Sequence, residues 1–264
     1  MKKPKGEYAI QTVINALRLL EEFREAEELG VTHLSRRLDL HKNNVFRLLA
    51  TLEQRGYVEQ SPETDRYRLG VRVLELGRAF SRGRSFLERG RPIVRQLVDA
   101  LGETAHLGVL RDFQVVHLDG AAPDRLIVTP VRIGTCLPAH CTALGKALIG
   151  CAHEAVREAF DRSVVAAGLE PRTPSTIVDR DKFFEHLRTV AVQGFAIDIG
   201  ECDEGLCCAA APVYDGRGDL VAALSVSGPA YRLDEAELLR GVAPAVMAAA
   251  HRLSRALGYV GCAA

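Results

Sequence analysis

The stretch from Lys42 to Gln54 constrains this chain more than any other. Val45, Leu48, Leu49 and Leu52 fall at i, i+3, i+4 and i+7, the apolar stripe of one amphipathic helix. At about 100° per residue, the opposite side carries Asn43, Arg47, Ala50 and Gln54, with Asn44 and Phe46 at its flanks. Gly56 is the expected C-terminal stop. Tyr57–Gln60 and Arg66–Leu69 then read as short strands around the turn Ser61–Asp65. Two helices are expected upstream. One runs from Tyr8 to Glu27, with Ile10, Val13, Leu17, Leu20 and Phe23 as a single apolar stripe. The other is short, capped by Thr32, with Leu34 and Leu38 turned inward. Three helices followed by a hairpin make a winged helix-turn-helix.

The exposed side of the third helix carries the chemistry that base edges recognise. Asn pairs bidentately with adenine and Arg with guanine, so Asn43, Asn44 and Arg47 are candidate readers, placed in the half that meets bases in helix-turn-helix proteins. Lys42 and the unpaired N–H groups of the first turn are candidates for a phosphate, and Phe46 for a thymine methyl. Arg66 and Arg68 on the wing can reach phosphate or the minor groove. The whole chain balances 34 basic against 34 acidic residues, so only local charge is informative. Between Val31 and Val58, Arg36, Arg37, Lys42, Arg47 and Arg55 face only Asp39 and Glu53. A polar face opposite an apolar stripe can be merely solvated. The hairpin, the local charge and the order of helices favour DNA.

A length of 264 residues suits two modest domains. The winged helix occupies 1–70, a linker helix and boundary 71–84, and a second domain 85–264. In the second domain, strands are expected at Thr104–Leu110, Gln114–Asp119, Ile127–Val131, Phe195–Asp198, Cys208–Tyr214 and Leu220–Ser227. Helices are expected at Phe86–Leu101, Thr142–Ile149, Glu154–Phe160, Asp179–Val192 and, unbroken, Asp234–Leu257. This is an α+β pattern with an antiparallel hairpin near the end. Ser225 and Ser227 lie two apart on a strand, so both face one side and Val226 the other. Lys146, beside Gly145 on a helix, is expected in solvent or at a subunit contact. No run reaches the ~20 apolar residues of a membrane span, and the N-terminus lacks the apolar core of a secretory signal, which points to the cytoplasm.

The seven cysteines are odd in number and form no C-x-x-C pair, which argues against a disulfide framework or a structural zinc site. No cofactor is expected. His140 and Cys141 are adjacent, but neighbouring side chains usually point apart, and no G-x-S-x-G, phosphate loop or H-E-x-x-H occurs, so an enzyme is not expected. A metal- or thiol-redox-sensing regulator, with Asp198, Cys208, His140 and Cys141 converging, is the competing reading of the second domain.

Several motifs taken in order resemble the IclR family of bacterial transcription regulators. They run from Leu38 to Leu52, then Arg55-Gly56-Tyr57-Val58 and Tyr67-Arg68-Leu69-Gly70. Further on come Leu137 to Ala147, Gly194-Phe195-Ala196-Ile197-Asp198, Cys208 to Asp215, and Leu224 to Pro229. The resemblance covers essentially the whole chain. Family members usually show small hydroxyl residues where Asn43-Asn44 stand, which implies a distinct operator. Cys141 replaces the more usual alanine, and Gly200 stands where an acidic residue is common. The resemblance implies a GAF-like effector-binding domain and a homodimer or homotetramer acting as repressor or activator on palindromic double-stranded operator DNA. Carried over by position, the effector pocket is lined by Leu137, Ala143, Leu144, Asp198, Leu206, Cys208, Ser225 and Ser227. An organic acid, a sugar acid or an aromatic catabolite is the expected effector class.

Overall fold

The computed structural model of the chain describes residues 9–24 and 26–261, and two units separate between Gly83 and Arg84. The first holds α1 (Gln11–Glu21, continued by a 3-10 turn Glu22–Arg24), α2 (Val31–Leu38), α3 (Lys42–Gln54), β1 (Val58–Gln60), β2 (Tyr67–Leu69) and α4 (Val71–Arg82). Leu34 and Leu38 of α2 and Val45 and Leu49 of α3 bury against Leu19, Phe23, Val58 and Tyr67. Asp39 takes a left-handed conformation (φ 54°), which turns the chain sharply between α2 and α3. Gly56 is also left-handed, at φ 73°, and a Cβ on Gly70 would fall 2.3 Å from the Gly56 carbonyl oxygen. This close approach joins the base of the wing to the start of α4.

Two expectations for this unit need correction. The α2 cap is Gly30, not Thr32. Helix α1 is apolar on two sides, not one. Leu19 is buried, with Ala16 and Leu20 packed beside it, whereas Ile10, Val13, Ile14 and Leu17 remain exposed. Tyr8 and Glu25, which fell within the expected first helix, lie outside the described residues.

The second unit opens with α5 (Ser85–Leu101), β3 (Thr104–Arg111), β4 (Gln114–Ala121), β5 (Cys136–Pro138) and α6 (Ala143–Gly150). Helix α7 (Glu154–Phe160) follows, then α8 (Arg180–Gln193), β6 (Ala196–Ile199), β7 (Leu206–Tyr214), β8 (Leu220–Pro229), α9 (Glu235–Glu237) and α10 (Ala243–Ala256). The six strands form one antiparallel sheet in the order β5-β4-β3-β8-β7-β6. Alternate residues of each strand serve opposite faces. Leu107, Ala209, Ala211, Leu224 and Val226 join Val94, Leu97, Val246 and Leu253 of α5 and α10 in one core. Ala210 and Ala223 join Leu144 and Leu148 of α6 and Phe183 and Leu187 of α8 in another.

Here too the structure departs from expectation. Ile127–Val131 forms no strand; residues 122–135 cross the surface irregularly, and Cys136–Pro138 takes the pairing with β4 instead. Pro130 has no N–H to offer a ladder. The C-terminal helix is interrupted by a π turn at Leu238–Val242, and Pro244 sits in the first turn of α10.

Candidate functional site

One candidate surface lies on the first unit. The side of α3 away from Val45, Leu48 and Leu49 is solvent-exposed at Lys42, Asn43, Asn44, Phe46, Arg47 and Ala50. Phe46 is 54% exposed, a large aromatic with no core to serve. The helix begins with an unusual cap: His41 Nδ1 accepts from the Asn43 N–H at 3.3 Å, and the His41 carbonyl accepts from Asn44 N at 2.9 Å. Those two first-turn donors are therefore occupied, which narrows the expected phosphate cradle to Lys42. On the wing, Arg68 is drawn to Glu59 (Nε to Oε1, 2.6 Å), an attraction that holds its guanidinium above the usual Arg range. Arg66 stays exposed, with no carboxylate partner among the described residues.

The second candidate is a cavity of about 50 Å³ on the α6 side of the sheet. Strand register builds its floor. Thr104, Ser227, Cys208 and Asp198 are directly paired across β3, β8, β7 and β6, one transverse row from four strands. The next row pairs His106 with Ser225. Ser227 and Cys208 of the first row and His106 and Ser225 of the second line the cavity, as does Asp198. Their neighbours Val226 and Cys207 are in the opposite core. Helix α6 supplies a wall. Thr142 caps it, accepting from Gly145 N at 3.2 Å, and a Cβ on Gly145 would lie 2.1 Å from the Ala139 carbonyl oxygen. Only glycine lets the helix settle on that backbone and bring Ala143 and Leu144 to the cavity.

All eight positions expected to line a pocket, Leu137, Ala143, Leu144, Asp198, Leu206, Cys208, Ser225 and Ser227, line this one. His106, His117, Thr129, Arg132, Thr142 and Cys202 complete it and were not foreseen. His106 carried a readable signal, a polar residue two positions from Thr104 on a strand otherwise apolar. Thr129 carried none because Ile127–Val131 was read as a strand, and Arg132, just beyond that segment, had no pattern to mark it.

Burial tunes the charges here. The Asp198 carboxyl is pushed up to about 7 by burial, partly offset by Lys146, while its Oδ1 accepts from Glu201 N at 2.7 Å. Asp198 therefore caps a turn and faces the cavity at once. Burial, helped by His117 and Arg132, takes His106 down to about 3, and its ring stays neutral. Its Nε2 accepts from Arg132 N at 3.1 Å, which leaves the proton on Nδ1. The two imidazoles meet edge to face with centroids 5.0 Å apart. Thr129 Oγ1 and Ser227 Oγ are buried with no partner among the described residues.

Lys146 overturns its expectation. It is fully buried and ion-paired to Glu201, whose other oxygen has no partner. The metal reading is corrected as well. His140 Nε2 is engaged by the Glu170 carbonyl at 2.9 Å and is thereby taken out of the expected ligand set, whereas Cys141 lies beside Cys202 and near Asp198 with its Sγ directed at the Pro138 carbonyl. No group of three His, Cys, Asp or Glu among the described residues is placed to hold a metal. A wider groove of about 440 Å³ runs along Phe113, Leu148 and Val156 with Asp112, His153 and Asp219 also in its lining, and among the described residues it holds no unpartnered buried polar atom.

Comparison with known proteins gives consistent matches. Residues 12–62 match the model of the IclR helix-turn-helix domain, and residues 82–255 that of the bacterial transcriptional regulator IclR C-terminal domain. The HTH-type transcriptional regulator XynR of Escherichia coli (strain K12) is 34% identical over 251 residues, covering 95% of this chain and 98% of that protein. The solved structure of an IclR transcriptional regulator from Alicyclobacillus acidocaldarius superposes with a TM-score of 0.83 at 25% identity, covering 95% of this chain and 100% of that one. An IclR homologue from Microbacterium hydrocarbonoxydans, solved in complex with 4-hydroxybenzoate, shares the fold with a TM-score of 0.81 at 22% identity, covering 93% of this chain and 98% of that one.

Proposed function

The chain belongs to the IclR family of bacterial transcription regulators, and from that premise we propose which of its residues read DNA and which hold the effector. Helix α3 enters the major groove, with Asn43, Asn44 and Arg47 on base edges and Phe46 against a thymine methyl. Lys42 and Arg66 hold phosphates; Arg68, already tied to Glu59, contributes less. The exposed Phe46 between Asn43 and Arg47 carries this assignment, because folding alone has no use for it there.

A homodimer presents two such helices to a palindromic operator. The exposed apolar residues of α1 (Ile10, Val13, Leu17) and α4 (Val71, Leu74, Leu76) form surfaces a second copy would cover. No helix among the described residues is long and apolar enough to cross a membrane. A DNA-bound regulator works in the cytoplasm.

The cavity over β3, β8, β7 and β6 is the effector site. The unpartnered hydroxyls of Thr129 and Ser227 carry this reading, since a buried unsatisfied polar group costs about 1–3 kcal/mol and a polar ligand would relieve it. Binding shifts the regulator only if the effector prefers one of its two states.

Footprinting on genomic fragments, including the region upstream of its own gene, tests the DNA assignment. A discrete protected palindrome is expected, and Arg47→Ala should weaken it by about 1–3 kcal/mol with relaxed preference at one base pair. Unchanged affinity and base preference in that variant would move the reading face elsewhere. Binding that is weak and steeply salt-dependent on every fragment would mean attraction without readout.

A further inference from the structure

We propose that Arg132 selects the effector, and that the ligand is a small hydroxylated carboxylate whose carboxylate pairs with the Arg132 guanidinium while its hydroxyls meet Thr129 and Ser227. The inference rests on the cavity being the effector site. Arg132 is the one cation among the cavity-lining residues, and no carboxylate pairs with it among the described residues. The only acid in the lining, Asp198, is hydrogen-bonded to Glu201 N on the far strand of the row.

The backbone that carries Arg132 is held in place before any ligand arrives. Arg132 N donates to His106 Nε2, Gly134 N donates to the His117 carbonyl at 2.8 Å, and His117 N returns a bond to Thr135 at 3.1 Å. Thr104 Oγ1 donates to the Thr129 carbonyl at 2.5 Å and fixes the other end of the segment. His106 is therefore a positioning residue for Arg132. Its ring is neutral, so it does not compete for the anion.

Size and polarity narrow the class. At about 50 Å³ the cavity is a third of the ~150 Å³ space known to take benzene. Ligand sites are usually mostly apolar with a few polar groups. The exposed lining here is mostly apolar as well, so the few polar groups that reach it, Arg132 and the unpartnered Thr129 and Ser227 hydroxyls, fix the ligand's chemistry. A flat aromatic ring would strand those polar groups, whereas a two- to four-carbon hydroxy acid satisfies them. A planar guanidinium fork grips a carboxylate bidentately, which fixes the acid's orientation as well as its charge.

Calorimetric titration of the full chain with glycolate, glycerate, glycerol and benzoate tests this. The hydroxy acids should bind, and glycerol and benzoate should bind at least tenfold more weakly. Arg132→Gln should lower hydroxy-acid affinity roughly ten- to a hundredfold with an unchanged thermal midpoint. Arg132→Lys should recover only part, since the charge returns without the fork. The proposal is overturned if Arg132→Gln binds like the parent, if glycerol matches glycerate, if benzoate binds best, or if neither hydroxy acid binds. The double variant Ser225→Ala/Ser227→Ala separates the two readings. Loss of binding there with Arg132→Gln unaffected removes the role of Arg132 and keeps the pocket; no effect in either removes the pocket as well.

Discussion

The two faces of the six-stranded sheet are cut from alternate residues of the same strands, yet they are held to different standards. Toward α5 and α10, β8 presents Leu224 and Val226, both fully buried among apolar neighbours. Toward α6 it presents Ser225 and Ser227, equally out of solvent, one of them without a partner. The first face packs apolar side chains against apolar side chains. The second breaks that pattern with an unsatisfied hydroxyl, a carboxyl held near neutrality and a buried ion pair. Proteins tolerate such violations mainly where function needs them, so the contrast marks which face binds.

Breaking that contrast should produce effects of very different size. The largest is expected at Lys146→Ala, which leaves the Glu201 carboxylate buried and alone; about 3–5 kcal/mol of stability should be lost in denaturant unfolding. A loss below about 1 kcal/mol would mean that water reaches the pair. Leu224→Ala, on the apolar face, should cost about 2–5 kcal/mol through its cavity and leave effector affinity per folded molecule intact. An affinity change there would show that the two faces are coupled.

The pH dependence of Asp198 comes next. Its folded pKa, about 7, lies above the ordinary carboxylate value of 3.8, so the folded state holds a proton that the unfolded chain has released. That stability is fully present below the unfolded value, declines as pH rises toward 7, and is level above it. In Asp198→Asn the decline should vanish, so the difference between variant and parent grows from pH 4 to 7. A flat difference over that range would put Asp198 at an ordinary carboxylate pKa. An anionic effector should likewise bind the parent less well above pH 7, and the variant evenly. The smallest expected effect on stability is at Ser227→Ala, within about 0.5 kcal/mol or slightly stabilising, because the hydroxyl bonds to nothing. The same variant should lose effector response, and a clear destabilisation instead would assign that hydroxyl to the fold.

Much of this molecule was legible as a string of residues because its determinants are local. Helix α3 is an example: the stripe of Val45, Leu48 and Leu49, the stop at Gly56 and the polar face all lie within fifteen residues, and the observed helix has the expected ends. The alternation that puts Ser225 and Ser227 opposite Val226 is equally local, a property of any extended strand. The eight expected cavity positions came from resemblance, which carries tertiary information that periodicity lacks.

What periodicity misses is settled between distant segments. The exposed second side of α1 has the same apolar spacing as its buried side, and only packing against α2 and α3 distinguishes Leu19 from Leu17. Lys146 is buried against Glu201, 55 residues further along the chain, a pairing that nothing near Lys146 in sequence announces. Arg132 is in the cavity because an irregular segment is stitched to His106 and His117. By itself, then, the sequence determined the helices, the alternation of the strands and the chemistry available on each side, since these follow from short-range geometry. Tertiary structure alone decided which apolar stripe is core, which lysine loses its water and which residues share the cavity, because register and close packing join residues far apart in the chain.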